Sequence, residues 1–194
     1  PTPAPHPAPR PRTLRPGLRK TLRPLLAALL ATSLLAGCDT AEERAAAHYA
    51  RAKDLRAAGQ TEQAIVEFRN GFQLDGNNKA ARLDYANLMV ERGETAEAIG
   101  QFLRLAEQDW GNVAVHKRIA TLALGAQDFT TAKTHADRAY DLDPKDPEIR
   151  GLKASTDYQD GAHAPAVAMA RGVVAETPAN LTARMVLIAD RMDA

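Results

Sequence analysis

The side chains that could do chemistry in this chain are one thiol and five imidazoles, the groups that serve as nucleophiles, general bases or metal ligands. The thiol is Cys38, and the histidines are His6, His48, His116, His135 and His163. No histidine has a second His or a Cys at the short spacing typical of metal sites. The sequence also contains no Gly-rich phosphate loop, nucleophile elbow or HExxH motif. It therefore predicts no catalytic residue, metal site, cofactor or small-molecule substrate, and so no enzyme.

Cys38 ends a segment, residues 1–37, that has the layout of a secretory signal peptide. Six basic residues and no acidic ones precede an apolar stretch from Leu25 to Ala36, which is too short to span a bilayer comfortably as a helix. The run Leu35-Ala36-Gly37-Cys38 resembles the lipobox of bacterial lipoproteins. The resemblance implies cleavage between Gly37 and Cys38 and acyl chains on Cys38. A signal peptide with an unrelated cysteine, or a buried cytosolic cysteine, is the alternative interpretation.

A repeat of 34 residues accounts for most of the remaining chain. Counted from Ala45, the units are 45–78, 79–112, 113–146 and 147–180, and a position within a unit is called a column. Column 8 holds Ala52, Ala86, Ala120 and Ala154, and column 20 holds Ala64, Ala98, Ala132 and Ala166. Column 15 holds Gly59, Gly93, Gln127 and Gly161, and column 34 holds Asn78, Asn112, Asp146 and Asn180. Four columns in one phase indicate a structural repeat.

Each unit has the pattern of two amphipathic helices joined by a short turn. The alanines of columns 8 and 20 let the two helices approach closely, and glycine in column 15 suits a left-handed helix end. Asn or Asp in column 34 suits the cap of the next helix, and Pro144 and Pro178 are expected to stop the second helices of their units. Because a period of 34 with these columns, and the runs Asp128–Ala132 and Leu142–Pro144, resemble the tetratricopeptide repeat family, we expect an all-α superhelix (solenoid) of helix-turn-helix pairs.

Residues outside the four units complete the predicted organisation. Residues 38–44 are predicted to be the lipidated cysteine and a short tether. Residues 181–194 are in register with the first helix of a fifth unit. The run from Met185 to Ile188 is too apolar for a solvent-facing end, which normally needs a polar outer face. We expect either a fragment of a longer, truncated array, which is the favoured interpretation, or a helix that packs on a second molecule.

The tetratricopeptide resemblance implies a protein that binds other proteins or peptides on a concave surface. In that family the first helices line the groove, mainly through columns 2, 5, 9, 12 and 13. The most distinctive residues at these columns are Tyr49, Lys53, Arg56, Leu83, Asn87, Val90, Lys117, Thr121, Leu124 and Tyr158. Glu91, Glu148, Ser155 and Gln159 are further candidates. This mixture of apolar, basic and aromatic residues suits an extended peptide or a partner helix, although each residue taken alone also fits a solvated helix face.

Two residues have a simpler structural interpretation than a site. His116 lies, like His48, in column 4, where a large residue usually packs between helices. Trp110 stands in the column where proline usually ends a helix, and we expect it to pack between units rather than to bind a ligand.

The net charge of the chain argues against two classes of binding partner. The chain has 25 basic and 24 acidic residues, and six of the basic ones lie in residues 1–37. The remainder has 19 basic and 24 acidic residues, a net charge of about −5. This excess of acid argues against nucleic acid, and against an anionic lipid surface as the main partner.

Together these features predict a lipid-anchored scaffold of the bacterial cell envelope that faces the periplasm. Asp39 resembles an inner-membrane retention signal, and the outer membrane is the other possible location. The layout resembles lipoproteins of pilus, secretion and polysaccharide-export systems. Two alternatives stay open: an adaptor that recruits cell-wall enzymes or envelope assembly factors, and the N-terminal part of a larger enzyme whose catalytic domain follows Ala194.

Overall fold

The computed structural model describes residues 39–193, so the predicted signal peptide and Cys38 lie outside the described residues. Within this range the chain forms nine α-helices and no strand. The helices are α1 Ala41–Ala57, α2 Thr61–Leu74, α3 Lys79–Glu91, α4 Thr95–Gln108, α5 Val113–Gly125, α6 Phe129–Leu142, α7 Pro147–Gln159, α8 His163–Glu176 and α9 Leu181–Asp193. Consecutive helices pack as the pairs α1/α2, α3/α4, α5/α6 and α7/α8, and each pair packs on the next. The predicted all-α superhelix is confirmed.

Side-chain caps define where the first helix of each unit begins. The side chains of Asn78, Asn112 and Asn180 each accept a hydrogen bond from the backbone amide three residues further on, at 2.9, 3.2 and 2.9 Å. Asp146 accepts the amide of Glu148 at 2.7 Å. These bonds satisfy amides that have no partner within the helix. Column 34 is therefore a column of N-caps, as predicted.

The first helix begins earlier than the predicted tether allows. The Thr40 hydroxyl accepts the amide of Glu43, and the Glu43 carboxylate accepts the amide of Thr40, which is a complete capping box. Residues 41–44, predicted as part of the tether, are consequently the first turn of α1. Among the described residues only Asp39 and Thr40 precede the helix.

The turns inside the units use the left-handed backbone region. Gly59, Gly93 and Gly161 have φ angles of 73°, 77° and 89°. Gln127, which replaces glycine in the third unit, has a φ of 61°. The same turn therefore forms with glutamine, although a residue with a Cβ is strained in this region.

The core consists of the small columns and the residues between them. All four alanines of column 8 are fully buried, and the alanines of column 20 are at most 1% exposed. The first two units add an aromatic cluster of Tyr49, Phe68, Phe72 and Tyr85, with neighbouring rings 5.4 to 6.5 Å apart. The third and fourth units have Ala136 and Ala170 in the column of Phe68, and both are fully buried. The later units thus have a buried alanine in the column that phenylalanine fills in the first two.

Candidate functional site

The concave side of the second half carries two adjoining clefts between α5, α7 and α9. The first has a volume of about 420 Å³ and is lined by Ala114, Lys117, Arg118, Thr121, Glu148, Leu152, Ala179, Asn180, Leu181 and Thr182. The second has a volume of about 410 Å³ and is lined by Leu124, Gln127, Phe129, Ser155, Tyr158, Gln159, Leu181, Thr182, Met185, Val186 and Ala189. Because Leu181 and Thr182 line both, the clefts form one surface, which we call the C-terminal groove.

The first cleft contains the charged side chains of the groove beside apolar ones such as Leu152. The ammonium group of Lys117 lies 2.8 Å from a carboxylate oxygen of Glu148 and 3.0 Å from one of Asp146. The hydrogen bond to Glu148, more than any other contact, raises the pKa of Lys117, so this side chain stays charged. Thr121, one turn further along α5, is exposed and donates its hydroxyl to the Lys117 carbonyl at 2.8 Å. This end of the groove can therefore bind charged or hydrogen-bonding groups.

The second cleft is mainly apolar. Phe129 is 42% exposed and Met185 is 62% exposed, and half-buried Leu124 lies in the same lining. Tyr158 donates its hydroxyl to a carboxylate oxygen of Asp193 at 2.7 Å, and this bond raises the pKa of Tyr158 to about 12. The phenol of Tyr158 is therefore uncharged, and its hydrogen bond to Asp193 links it to α9. This end of the groove suits an apolar side chain of a binding partner.

Four of the ten predicted groove residues therefore meet in the C-terminal groove, namely Lys117, Thr121, Leu124 and Tyr158. Three of the further candidates, Glu148, Ser155 and Gln159, lie there too.

Ion pairs between α1 and α3 cross the equivalent surface of the first half. Lys53 lies 3.1 Å from Asp84, and Arg56 lies 2.6 Å from Glu91. Both predicted groove cations are thus already paired with carboxylates of the neighbouring helix. Exposed pairs of this kind contribute little to stability, about 1 kcal/mol or less each, and Lys117 of the second half is paired with Glu148 of the next first helix in the same way.

The prediction for Tyr49 is wrong. This residue is only 4% exposed, and its ring packs against Phe68 and Phe72 rather than facing the groove. Its hydroxyl donates to the carbonyl of Asp75. The ring reaches the core because it lies against Gly71, where an added Cβ would clash with it. Tyr49 is therefore a core residue of the first unit.

The three predicted residues of α3 lie elsewhere. Leu83 is 42% exposed in a separate small cleft of about 200 Å³, which Leu105 and Val115 also line. Val90 is half-buried and packs against two core clusters. Asn87 is half-buried on the same helix. The structure does not bring these residues into the C-terminal groove.

The sequence pattern also missed two groups of residues. Phe129, Leu181 and Met185 line the groove although they lie outside the predicted set; the apolar character of residues 185–188 was the one available signal. His116 and His135 were not expected to meet. Their Nδ1 atoms are 2.7 Å apart, and their rings are stacked.

The histidine pair is buried and covered by Trp110. His116 is fully buried and His135 is 4% exposed. The Nε2–H of His116 donates to the Trp110 carbonyl at 3.2 Å, so the Nδ1 of neutral His116 accepts from His135. The Trp110 ring lies edge-on to His116 at 4.7 Å, and the Arg138 guanidinium is 5.9 Å from that ring. Trp110 thus packs between the second and third units, as predicted.

No group of three or more His, Cys, Asp or Glu side chains that could hold a metal ion occurs within residues 39–193. Among the helices of this same range, none is long and apolar enough to cross a membrane.

Comparisons with known proteins agree with this architecture. Two family models, both described as tetratricopeptide repeat, match residues 55–122 and 117–180. No curated protein sequence matches the chain.

Three solved structures are similar to this chain in fold. YrrB, described as a tetratricopeptide repeat protein with an unusual peptide-binding site, has a TM-score of 0.60 at 18% identity, covering 74% of this chain and 76% of its own. The MamA protein has a TM-score of 0.63 at 15% identity, covering 74% and 79%. A tetratricopeptide repeat protein from Parabacteroides merdae has a TM-score of 0.61 at 12% identity, covering 74% and 57%. At these identities the likeness shows the fold alone.

Proposed function

Because the chain belongs to the tetratricopeptide repeat family over residues 55–180, we propose that it is a scaffold that holds a segment of another protein in the C-terminal groove. The observation that carries this proposal is the contrast along the concave surface. Phe129 and Met185 of the second half are exposed around two adjoining clefts, whereas Tyr49, at a groove column of the first half, is buried in the core. The cations Lys53, Arg56 and Lys117 are all paired with carboxylates of the next first helix, so the contrast lies in the apolar side chains.

The chemistry of the clefts describes the bound segment. An apolar side chain would bury itself against Phe129 and Met185, and a charged or amide group would bind beside Lys117 and Glu148. Because the groove exists before binding, less conformational entropy is lost when a partner binds. We expect the affinity to depend on a few such side chains. YrrB is described as having an unusual peptide-binding site, and we extend that property to this chain as part of the proposal.

Substitutions at the groove test the proposal. Thr121→Arg and Ser155→Arg introduce bulk and charge into the first and second clefts, and each should weaken capture of the partner about tenfold. Thr134→Arg is the matched control, because Thr134 is an exposed threonine on α6 outside both clefts. Partners crosslinked in membranes, captured with the chain and quantified by mass spectrometry provide the measurement. Equal recovery with all three variants would contradict binding in the groove.

We further propose that Cys38 anchors this scaffold to a membrane of the bacterial envelope, with the repeats facing the periplasm. The basic segment, the short apolar stretch and the lipobox-like run Leu35–Cys38 support this proposal. Only Asp39 and Thr40 lie between Cys38 and α1, so α1 would begin within about 10 Å of the anchor. Several acyl chains give durable anchoring where a single one does not.

The anchor has its own test. Cys38→Ser should move the protein from the membrane fraction to the soluble fraction without changing its helical content, since no other cysteine or disulfide depends on this residue. Fractionation with circular dichroism on the purified variant measures both. Unchanged membrane association would contradict lipid anchoring and leave the groove proposal intact.

Within the envelope, we place the scaffold with the assembly of a pilus, a secretion system or a polysaccharide-export system. This rests on the combination of a lipobox-like leader with a tetratricopeptide array. Partners from such a machine in the capture experiment would support the assignment. Cell-wall enzymes or envelope assembly factors would replace it with an adaptor role.

A further inference from the structure

The polar contact that joins the two helices of a unit differs from one unit to the next. In column 4 the pairs of the first, second and fourth units are His48 with Glu67, Arg82 with Gln101, and Arg150 with Glu176. A carboxylate or an amide thus lies opposite each side chain of column 4 in these units. In the third unit both partners are imidazoles, those of His116 and His135. This is the one contact of the four in which both groups bind a proton near neutral pH.

The charges around the histidine pair offer little compensation for added protons. Among residues 39–193, the charges that act on the pKa of His116 are Arg138 of α6 and Asp109, which follows α4, and they act in opposite directions. The group that acts on the pKa of His135 by its charge is His116, and within α4 no charged side chain acts on either ring. The charged side chains of α7 that contact α6 pair with other residues, namely Lys153 with Asp137 and Asp157 with Lys133. Two protonated rings would therefore repel each other with almost no net compensation.

The packing around the pair fits two neutral rings and opposes two charged ones. His116 is fully buried, His135 is 4% exposed, and the Trp110 ring lies edge-on to both, at 4.7 and 5.8 Å. The two Nδ1 atoms can share one hydrogen, whereas two protonated rings would place two N–H groups against each other. Protonation of both rings therefore requires that α5 and α6 separate until water reaches the imidazoles.

The two helices that the pair joins also form one wall of the C-terminal groove. Lys117, which directly follows His116, lines the first cleft together with Thr121 of the same helix. Leu124 of α5 and Phe129, the first residue of α6, line the second cleft. Because the units of a solenoid contact only their neighbours, α5 and α6 can shift while the first two units stay folded. A change at the histidine pair would therefore change the shape of the groove.

We propose that acid releases the bound segment from the C-terminal groove by separating α5 from α6 at the histidine pair. The proposal rests on the proposed binding in the groove and adds its regulation. Burial lowers the pKa of His135 to about 4 and also lowers the pKa of His116, whereas a histidine in water titrates near 6.5. The closed pair is therefore fully favoured above pH 6.5. At pH 5 the proton bound by His135 raises the population of the opened arrangement about 30-fold over its value at high pH.

Trp110 supplies a direct readout, because it covers the pair and is the one tryptophan of the chain. Acrylamide quenching of its fluorescence and the far-ultraviolet circular dichroism of the purified protein would be measured between pH 7.5 and pH 4. Quenching of Trp110 should increase at a higher pH than the pH at which helical content falls. Coincident transitions, or quenching that stays constant while the helices are intact, would overturn local opening at the pair.

Two substitutions at His135 give the third unit the contacts of the other units. In the first unit Glu67 accepts a hydrogen bond from His48 at 2.7 Å, and a carboxylate accepts from a neutral or a protonated ring alike. His135→Glu should therefore abolish the increase in Trp110 quenching. His135→Gln leaves only His116 to titrate and should move the increase to a lower pH. His48→Gln, in the same column of the first unit, is the matched control and should behave as the wild type does.

Capture of the groove partner at pH 7.5 and pH 5 connects this opening to binding. Acid should reduce capture by the wild-type chain about tenfold, and His135→Glu should retain it. Titration of the partner itself would affect both chains equally, so the difference between them reports on the pair. Equal loss in both chains, or no loss in the wild type, would overturn the regulation. Failure to capture any partner at pH 7.5 would contradict groove binding instead, and the Trp110 titration would still decide whether the pair opens.

Discussion

The two halves of the array use one repeat in different ways. In the first two units large side chains fill the space between helices, with Tyr49, Phe68 and Tyr85 in one aromatic cluster. In the third and fourth units alanine stands in the column of Phe68, as at Ala136. The concave surfaces differ as well: Tyr49 is buried in the first, whereas Phe129 and Met185 are exposed in the C-terminal groove of the second.

This comparison separates what the repeat requires from what each unit can vary. The caps of column 34 and the alanines of columns 8 and 20 are shared by all four units, because they fix how two helices meet. The remaining columns are free to fill the core or to leave a surface open. The first half is therefore interpreted as the more stable part, and the second half as the binding part. Four predictions test this account of the array, from the largest expected effect to the smallest.

Removing an aromatic ring from the first half should have the largest effect. Phe68 is fully buried, so Phe68→Ala should lower the free energy of unfolding by about 3–5 kcal/mol through lost burial and a residual cavity. Phe129→Ala is the control in the second half, since Phe129 is 42% exposed. Urea unfolding followed by circular dichroism measures both. Equal losses would show that the two halves do not divide structural and binding roles in this way.

Acid should destabilise the second half through the histidine pair. Burial lowers the pKa of His135 to about 4, and His116 lowers it further, whereas an unfolded histidine titrates near 6.5. The folded chain thus excludes a proton that the unfolded chain binds. Stability is full above pH 6.5 and falls as the pH drops from 6.5 towards 4, by about 3 kcal/mol from His135 alone.

Urea unfolding between pH 7.5 and pH 4 measures this loss. His135→Leu should reduce the pH dependence and leave the part caused by His116, whose pKa burial also lowers. His163→Gln, at an exposed histidine, should retain the full dependence. An identical acid response in His135→Leu would show that other groups cause the loss.

Replacing a buried alanine of column 8 by a larger residue should destabilise either half of the array. Ala86 and Ala120 occupy column 8 and are fully buried. Ala86→Leu and Ala120→Leu should each cost about 1–3 kcal/mol, because a larger side chain forces the paired helices apart. Thermal and urea unfolding of both variants provide the measurement. A variant as stable as the wild type would argue against column 8 as the point of close approach.

Replacing Gln127 by the glycine that the other units have in this turn should stabilise the chain. Gln127 has a φ of 61°, where a side chain is strained, so Gln127→Gly should stabilise the chain by about 1 kcal/mol. The reverse change, Gly93→Gln, should destabilise the second unit by a similar amount. The two differences in urea midpoint should have opposite signs, and equal signs would exclude backbone strain as their cause.

The fold followed from the sequence because its determinants are local and repeated. The caps at Asn78 and Asp146 and the turn glycines each act within a few residues. The groove was harder to predict because its residues depend on what lies opposite them. Tyr49 enters the core since Gly71 leaves space for its ring, and Lys53 is paired because Asp84 lies on the next first helix.

The histidine pair and α9 were also hard to predict, because their contacts depend on which helices lie opposite each other. His116 and His135 are 19 residues apart, a spacing that no metal or catalytic motif uses, and only the register of α5 on α6 brings them together. The apolar run of α9 was visible, but its contribution to the groove required the positions of α5 and α7. The lipid anchor at Cys38 stays a prediction from the sequence.

Site-specific photocrosslinking along column 9 tests the central claim most directly. The residues are Lys53, Thr121 and Ser155, which lie at equivalent positions on α1, α5 and α7. With benzoylphenylalanine at each site in living cells, Thr121 and Ser155 should crosslink the same discrete protein partner, and Lys53 should not. Crosslinking from Lys53 alone, or of equal strength at all three positions, would contradict a binding site confined to the C-terminal groove.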